Sequence, residues 1–137
     1  MKGLFKVGDK KTHKKVVETV DLATFGDGIL HPVCSTFVLA REIEWASRLF
    51  VLEMIEDDEE GIGTKLEINH LSPALVAEEL VLEARIKSIA AHEIICNIDV
   101  TVDGRFIAKG VTGQKILKKT KIEDLISNIK NYGRKEE

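Results

Sequence analysis

Three side chains able to do acid–base or nucleophilic chemistry stand out: Thr36, Glu44 and His70. Glu44 is the one that needs a reason. It lies in the middle of "STFVLAREIEWASRLFVLEMI", directly before the chain's only tryptophan, Trp45, in a stretch apolar on nearly every side. A carboxylate on a helix of that kind is costly unless something pairs with it or uses it. One reading is a reagent: burial can shift a carboxyl pKa, and a carboxylate can attack an acyl carbon directly. The other is an ion pair, because Arg41 at i−3 and Arg48 at i+4 share its helix face.

His70 ends an alternating segment and precedes "LSPA". An unperturbed imidazole changes charge near neutrality, so a histidine here suits general acid or base work, against the plainer reading of a solvent-exposed strand end. Thr36 serves either as a helix cap or as a hydroxyl that orients a substrate or a catalytic carboxylate. Gly63, in "GIGT", reads as a plain turn or as a point where a ligand comes close to the backbone. His13, His31 and His92 have no acid or nucleophile at a telling spacing and read as surface residues. On one straight helix Thr36 and Glu44 would be ~12 Å apart along the axis, too far to touch. A joint site then needs Thr36 folded back before the helix, or a second subunit supplying part of it.

The elements that must hold these residues follow from periodicity. "THKKVVETVD" suits a short strand. "LATFGDGILHPVCS", with Gly26, Asp27, Gly28 and Pro32, reads as an irregular loop. Ser35 or Thr36 can cap a helix from about Phe37 to Ile55. The acidic run "EDDEEGIG" lies beyond the helix end, where negative charge would oppose the dipole. The rest is strand. "GTKLEINHLSPA" alternates until Pro73; Leu80, Leu82, Ala84 and Ile86 face one way, with Glu83, Arg85 and Lys87 opposite. Cys96, Ile98, Val100 and Val102 repeat the pattern, "DGR" at 103–105 makes a hairpin turn, and "RFIAKGVTGQKILKK" is the last strand. "KIEDLISNIKN" is a short amphipathic helix.

The order is thus strand, loop, long apolar helix, then four strands in hairpin order. An antiparallel sheet with one apolar face needs a cover, and the long helix is the only large one. The economical arrangement is α+β: a curved antiparallel sheet wrapped around a long central helix, the hotdog fold, in one domain spanning 1–137. One helix cannot hide every sheet edge, so a homodimer is expected.

Composition narrows the function classes. Of 137 residues, 44% are hydrophobic and 31% charged, as in a globular domain, and the net charge of −3 argues against nucleic acid as a partner. Cys34 and Cys96 have no metal-type spacing, so no metal and no disulfide framework are expected. Charges at Arg41, Glu42, Glu44, Arg48 and Glu53 interrupt the longest apolar run, which excludes a membrane span there. The N-terminal "MKGLFKVGDKKTHKK" lacks an apolar signal core, and the cytoplasm is the expected compartment.

Read together, Thr36, "IEWAS" around Glu44, Gly63 and "NHLSP" around His70 resemble the fluoroacetyl-CoA thioesterase family of hotdog proteins. The likeness begins at "VGDK", includes "ETV" at 18–20 and "GTKLEINHLSP", and extends to "GVTGQKIL". It implies a dimeric enzyme that hydrolyses an acyl-CoA thioester and needs no cofactor beyond the coenzyme A of its substrate. It implies a catalytic group of Thr36 as orienting hydroxyl, Glu44 as nucleophile or base and His70 as acid/base, with Gly63 against the acyl group. Leu30, Val33, Phe37 and Ala40 would line the pocket, and Lys115 would match a basic substrate-binding position. Two phenylalanines tied to fluorine selectivity have no counterpart: Asp27 and Leu30 stand there, with Phe25 close but out of register, which implies another acyl group. Two rival classes are a non-catalytic acyl-CoA-binding sensor of the same fold and a hotdog hydratase. The hydratase would place an Asp with a His at the start of the central helix, where no Asp occurs.

Overall fold

The computed structural model describes every residue except Asp27 and Glu137, and for Phe25 and residues 134–136 the backbone alone. The proposed loss of a phenylalanine at Asp27 therefore lies outside the described residues. Strand β1 is Lys10–Val16, followed by one 3-10 turn at Thr19–Asp21. Strands β2 (Leu22–Phe25) and β3 (Gly28–Cys34) lead into helix α1 (Thr36–Met54). Strands β4 (Glu59–His70), β5 (Glu79–Ala90), β6 (Glu93–Val102) and β7 (Arg105–Lys118) follow, and helix α2 runs over Lys119–Glu136.

Five strands form one antiparallel sheet in the order β1-β5-β6-β7-β4, and α1 packs against its inner face. The period-two reading holds: Leu80, Leu82, Ala84 and Ile86 of β5 and Cys96, Ile98, Val100 and Val102 of β6 are buried. They meet Leu39, Ile43, Ala46, Phe50 and Met54 of the helix in one apolar core. Asp103 (φ 46°) and Gly104 (φ 80°) both adopt positive φ in the β6–β7 turn, which fits a two-residue hairpin. This is the hotdog architecture, a curved sheet around a central helix.

Three expectations are corrected. The segment "LATFGDGILHPVC" is an irregular hairpin, β2 on β3, rather than a loop. A two-stranded ribbon tolerates Pro32 because register shifts leave it outside the paired positions, so its missing N–H breaks no ladder bond. The strands after α1 are not all neighbours in hairpin order: β4 pairs with β7 at the far edge, and only β5, β6 and β7 follow as hairpins. The segment 71–78 crosses the end of the sheet instead, tied by Leu71 N–H and Ser72 N–H to Ile107 O and by Ala77 N–H to Val17 O. The acidic run also contributes to a strand, since β4 begins at Glu59. That carboxylate accepts from Glu56 N–H and meets the Met1 ammonium at 2.7 Å, while Asp58 pairs with Lys118 at 2.7 Å.

The outer edge strand β1 turns three basic side chains toward the helix side. Lys11 pairs with Glu53, His13 Nε2 lies 3.5 Å from Glu42, and Lys15 Nζ lies 3.0 Å from Asp21. Inward-pointing charge on an edge strand discourages a further strand from adding there. His13 is accordingly half-buried against Glu42 rather than a free surface residue, while His31 and His92 are exposed. Among the described residues no helix is long and apolar enough to cross a membrane.

Candidate active site

Helix α1 starts one residue earlier than its periodicity suggests, and this matters for Thr36. Ser35 is the cap: its side chain accepts a hydrogen bond from Val38 N–H at 3.1 Å. Ser35 N–H in turn donates to Asp21 O at 2.9 Å, anchoring the helix start to the 3-10 turn. Burial pushes the Asp21 carboxyl up, but hydrogen bonds from Glu18 N–H and the Lys15 ammonium outweigh it and hold the group below its ordinary value. With capping done by Ser35, the Thr36 hydroxyl is left over for another partner.

That partner is His70. Thr36 Oγ1 and His70 Nδ1 lie 3.0 Å apart, joining residues 34 positions apart in sequence. The inner face of β4 carries Leu66, Ile68 and His70, so the ring points to the helix side at the strand's end. The segment after His70 is clamped firmly. Arg105 donates to Ser72 Oγ at 2.9 Å and to Pro73 O at 2.7 Å, and reaches both Glu78 carboxylate oxygens at 3.3 Å. Ser72 Oγ donates to Phe106 O at 2.8 Å, and Cys34 N–H donates to Ala74 O at 2.8 Å. The last bond ties this segment to the strand that enters α1, so Thr36 and His70 are fixed by one connected network.

Glu44 lies two turns further along α1. The ion-pair reading fails: Arg41 turns to Glu42 at 3.8 Å, and Arg48 bonds Glu60 at 3.0 Å. Among the described residues the Glu44 carboxylate forms no ion pair or hydrogen bond. Nor is it buried within the chain, because it belongs to an exposed stripe of α1 with Phe37 (79% exposed), Trp45 and Leu52. The carboxylate lies over Gly63 of β4. A Cβ at position 63 would sit 2.7 Å from Glu44 Oε1, so only glycine leaves the carboxylate where it is.

The proposed residues therefore form two pairs, Thr36–His70 and Glu44–Gly63. Along α1 the pairs are ~12 Å apart. Along β4 seven residues separate Gly63 from His70, roughly 20 Å of strand. One chain does not bring Glu44 to His70. Of the proposed pocket residues, Leu30 on β3 is exposed, Val33 is half-buried, Ala40 is half-buried on α1 and Phe37 is strongly exposed. Lys115 is exposed and pairs in register with Ile62 and Glu93 on the outer face of the sheet, whereas Gly63 pairs with the buried Gln114 on the inner face. The structure thus separates Lys115 from the Glu44–Gly63 pair by the thickness of the sheet. Among the described residues no group of three His, Cys, Asp or Glu side chains could hold a metal ion.

From the sequence, Gln114 beside Lys115 has no role of its own and Ser47 carries no signal. Gln114 Nε2 donates to Ser47 Oγ at 2.9 Å and to Glu44 O at 3.3 Å, and Ser47 Oγ donates to Glu44 O at 2.9 Å. The available signal was a glutamine in an inward position of an alternating strand.

The profile of the fluoroacetyl-CoA-specific thioesterases matches residues 17–120, three quarters of the chain and every residue discussed above as a candidate. The chain belongs to that family. It is a hotdog thioesterase. A Thermus thermophilus protein described as a thioesterase superfamily member is 29% identical, with 94% of this chain and 96% of that one covered and a TM-score of 0.86. A hot-dog-like protein from Thermanaerovibrio acidaminovorans is 15% identical over 91% of this chain and 93% of its own, with a TM-score of 0.83. A mutant of the fluoroacetyl-CoA-specific thioesterase FlK, in complex with fluoroacetate and CoA, is 18% identical over 86% of this chain and 99% of its own, with a TM-score of 0.78. The last two show the shared fold. No curated protein matches this sequence.

Proposed function

We propose that this thioesterase hydrolyses an acyl-CoA to the free acid and coenzyme A, at a site that two copies of the chain complete together. The observation that carries the reading is the Glu44 carboxylate: free of both neighbouring arginines, it stands over a glycine that leaves space beside it. Its missing acid–base partner is the Thr36–His70 pair, which the same chain holds too far away. Strand β4 is the sheet edge next to both pairs, bonded to β7 on one side only. A second copy added antiparallel across this edge, about a two-fold axis near Leu66, brings His70 of the second copy beside Gly63 of the first. The exposed apolar residues Leu66, Phe37 and Trp45 would then be covered.

The chemistry follows from that pairing. Glu44 attacks the thioester carbonyl, and the C–S bond breaks with departure of the coenzyme A thiolate. The resulting anhydride on Glu44 is opened by a water molecule whose proton passes to His70. A thiolate is a good leaving group, since thiols ionise near pH 8.5, so departure needs little acid assistance. For His70 to take the proton, Nε2 must be free of hydrogen. The Thr36 contact suits this tautomer: with Nδ1–H donating to Oγ1, Nε2 is left as the acceptor. Leu30 and Phe37 offer apolar surface to the acyl group, and the family's fluorinated substrate is not assumed for this chain.

A free-thiol assay across a panel of acyl-CoAs, with wild type beside E44A, E44Q and H70A, tests the proposal. Turnover by wild type and its loss in all three variants is the expected result. Activity surviving in E44A and H70A would remove these residues from the mechanism, and tight binding without turnover across the panel would make the protein an acyl-CoA sensor.

A further inference from the structure

The carboxylate of Glu44 touches no described side chain that could hold it, so what the fold fixes of its place over Gly63 is the helical turn that carries it. Most of what presses α1 onto the sheet at this level is apolar: Ile43, Ala46, Phe50 and Val51 are all fully or almost fully buried. Apolar contact is non-directional and leaves a helix able to slide by a fraction of an ångström. Gln114 is different. It is 3% exposed on the inner face of β7, and its cross-strand neighbour on β4 is Gly63 itself. Its amide reaches up to Ser47 Oγ and to the Glu44 carbonyl oxygen, while Ser47, 2% exposed, bonds the same carbonyl. The one β4–β7 pair therefore supplies both the floor beneath the carboxylate and the anchor of the turn that carries it.

Burying an amide between helix and sheet costs free energy that methionine or leucine at the same position would not, unless its hydrogen bonds are made. Packing alone does not explain the residue. Resting on the proposed reaction, we infer that Gln114, acting through Ser47, is a positioning residue for Glu44: it fixes the height and axial setting of the nucleophile over Gly63. Neither side chain touches the reacting atoms. Their effect is on how closely the carboxylate approaches the thioester carbon, and misplacements of about 1 Å are worth up to ~100-fold in rate.

The test compares Q114M, which keeps length and apolar bulk but loses both donors, with S47A, which loses the relay. Kinetics use whichever acyl-CoA the wild type turns over fastest. Each variant is expected to lower kcat about ten-fold or more while KM stays within about two-fold, because substrate binding does not involve either residue. The double variant E44Q/Q114M should be no slower than E44Q, since a positioning residue has nothing left to position. If Q114M instead lowers E44Q activity by the same factor as it lowers wild type, or lowers only the melting temperature, Gln114 is structural and the inference is overturned. A second readout needs no turnover. The side-chain carboxyl carbon resonance of Glu44, identified by its loss in E44Q, should move at a fixed pH in Q114M and in S47A, because the carboxylate changes its place over Gly63. A resonance at the wild-type position in a folded variant refutes the inference even if no acyl-CoA is hydrolysed, whereas a wild type inert across the panel with a moved resonance refutes only the proposed reaction.

Discussion

Mixing two inactive chains should restore activity. In the arrangement proposed above, each site takes Glu44 and Gly63 from one copy and Thr36 and His70 from the other. Within one chain the two pairs lie ~12 Å apart along α1, whereas a base must come within about 3 Å of the group it serves, or one water further. E44A and H70A should each lose a factor of ~10² to 10⁴, the usual worth of a positioned acid, base or nucleophile. When both chains are co-expressed and pair at random, about half of the dimers are mixed. In a mixed dimer one site carries both substitutions and the other carries neither. Specific activity per chain should therefore rise to about one quarter of wild type, far above either variant alone. Different affinity tags on the two chains allow the mixed dimer to be isolated, and then about half of the wild-type activity is expected. Mixed dimers that form, as shown by native mass spectrometry, yet stay as inactive as their parents would refute the composite site. Parents that are inactive but strictly monomeric would refute it as well.

Three further outcomes follow from the geometry. In G63A the new Cβ would meet Glu44 Oε1 at 2.7 Å, so the carboxylate must move; kcat should fall at least about ten-fold in the thiol-release assay, and the melting temperature should change little because position 63 is exposed. Burial pushes the Cys34 thiol up to about 11 and Cys96 up to about 12, so neither should react with a disulfide reagent at pH 8 in the native state, and labelling should track unfolding by urea. Asp21 has its folded-state pKa lowered, so it stabilises the fold above its ordinary value of 3.8, and this contribution is lost as pH falls through the folded value. D21N should unfold at lower urea by about 1–3 kcal/mol at pH 7, and the gap to wild type should narrow in urea titrations carried below pH 4; a gap that stays constant would exclude the carboxylate as its source.

How far these features were legible in the sequence depends on the range of the forces involved. Alternation in β5 and β6 was readable because a strand has a period of two and one face must leave water, a rule that acts within a few residues. The hairpin at Asp103–Gly104 was readable for the same kind of reason, since positive φ at both positions is a local demand. The end of α1 at Ser35 was readable to within a residue, and the choice between Ser35 and Thr36 as cap turned on which hydroxyl reaches Val38 N–H. The resemblance grouped Thr36, Glu44 and His70 as one catalytic group with Gly63 against the acyl group, without saying which of them meet within a single chain.

The sequence by itself determined the faces of the strands, the long helix and the identities of the residues able to react. Only the tertiary structure decided that β4 lies beside β7, because the segment 71–78 can cross the sheet end in more than one way and the choice depends on what it can bond to there. Only the tertiary structure decided the fate of Glu44. Local spacing offered it two arginines, but exposed ion pairs are worth about 0–1 kcal/mol, too little to hold them against Glu42 and Glu60 nearby. It was likewise the packing of helix on sheet that set the carboxylate over Gly63 and brought Gln114 under its turn. No spacing along the chain encodes such a contact between residues 70 positions apart.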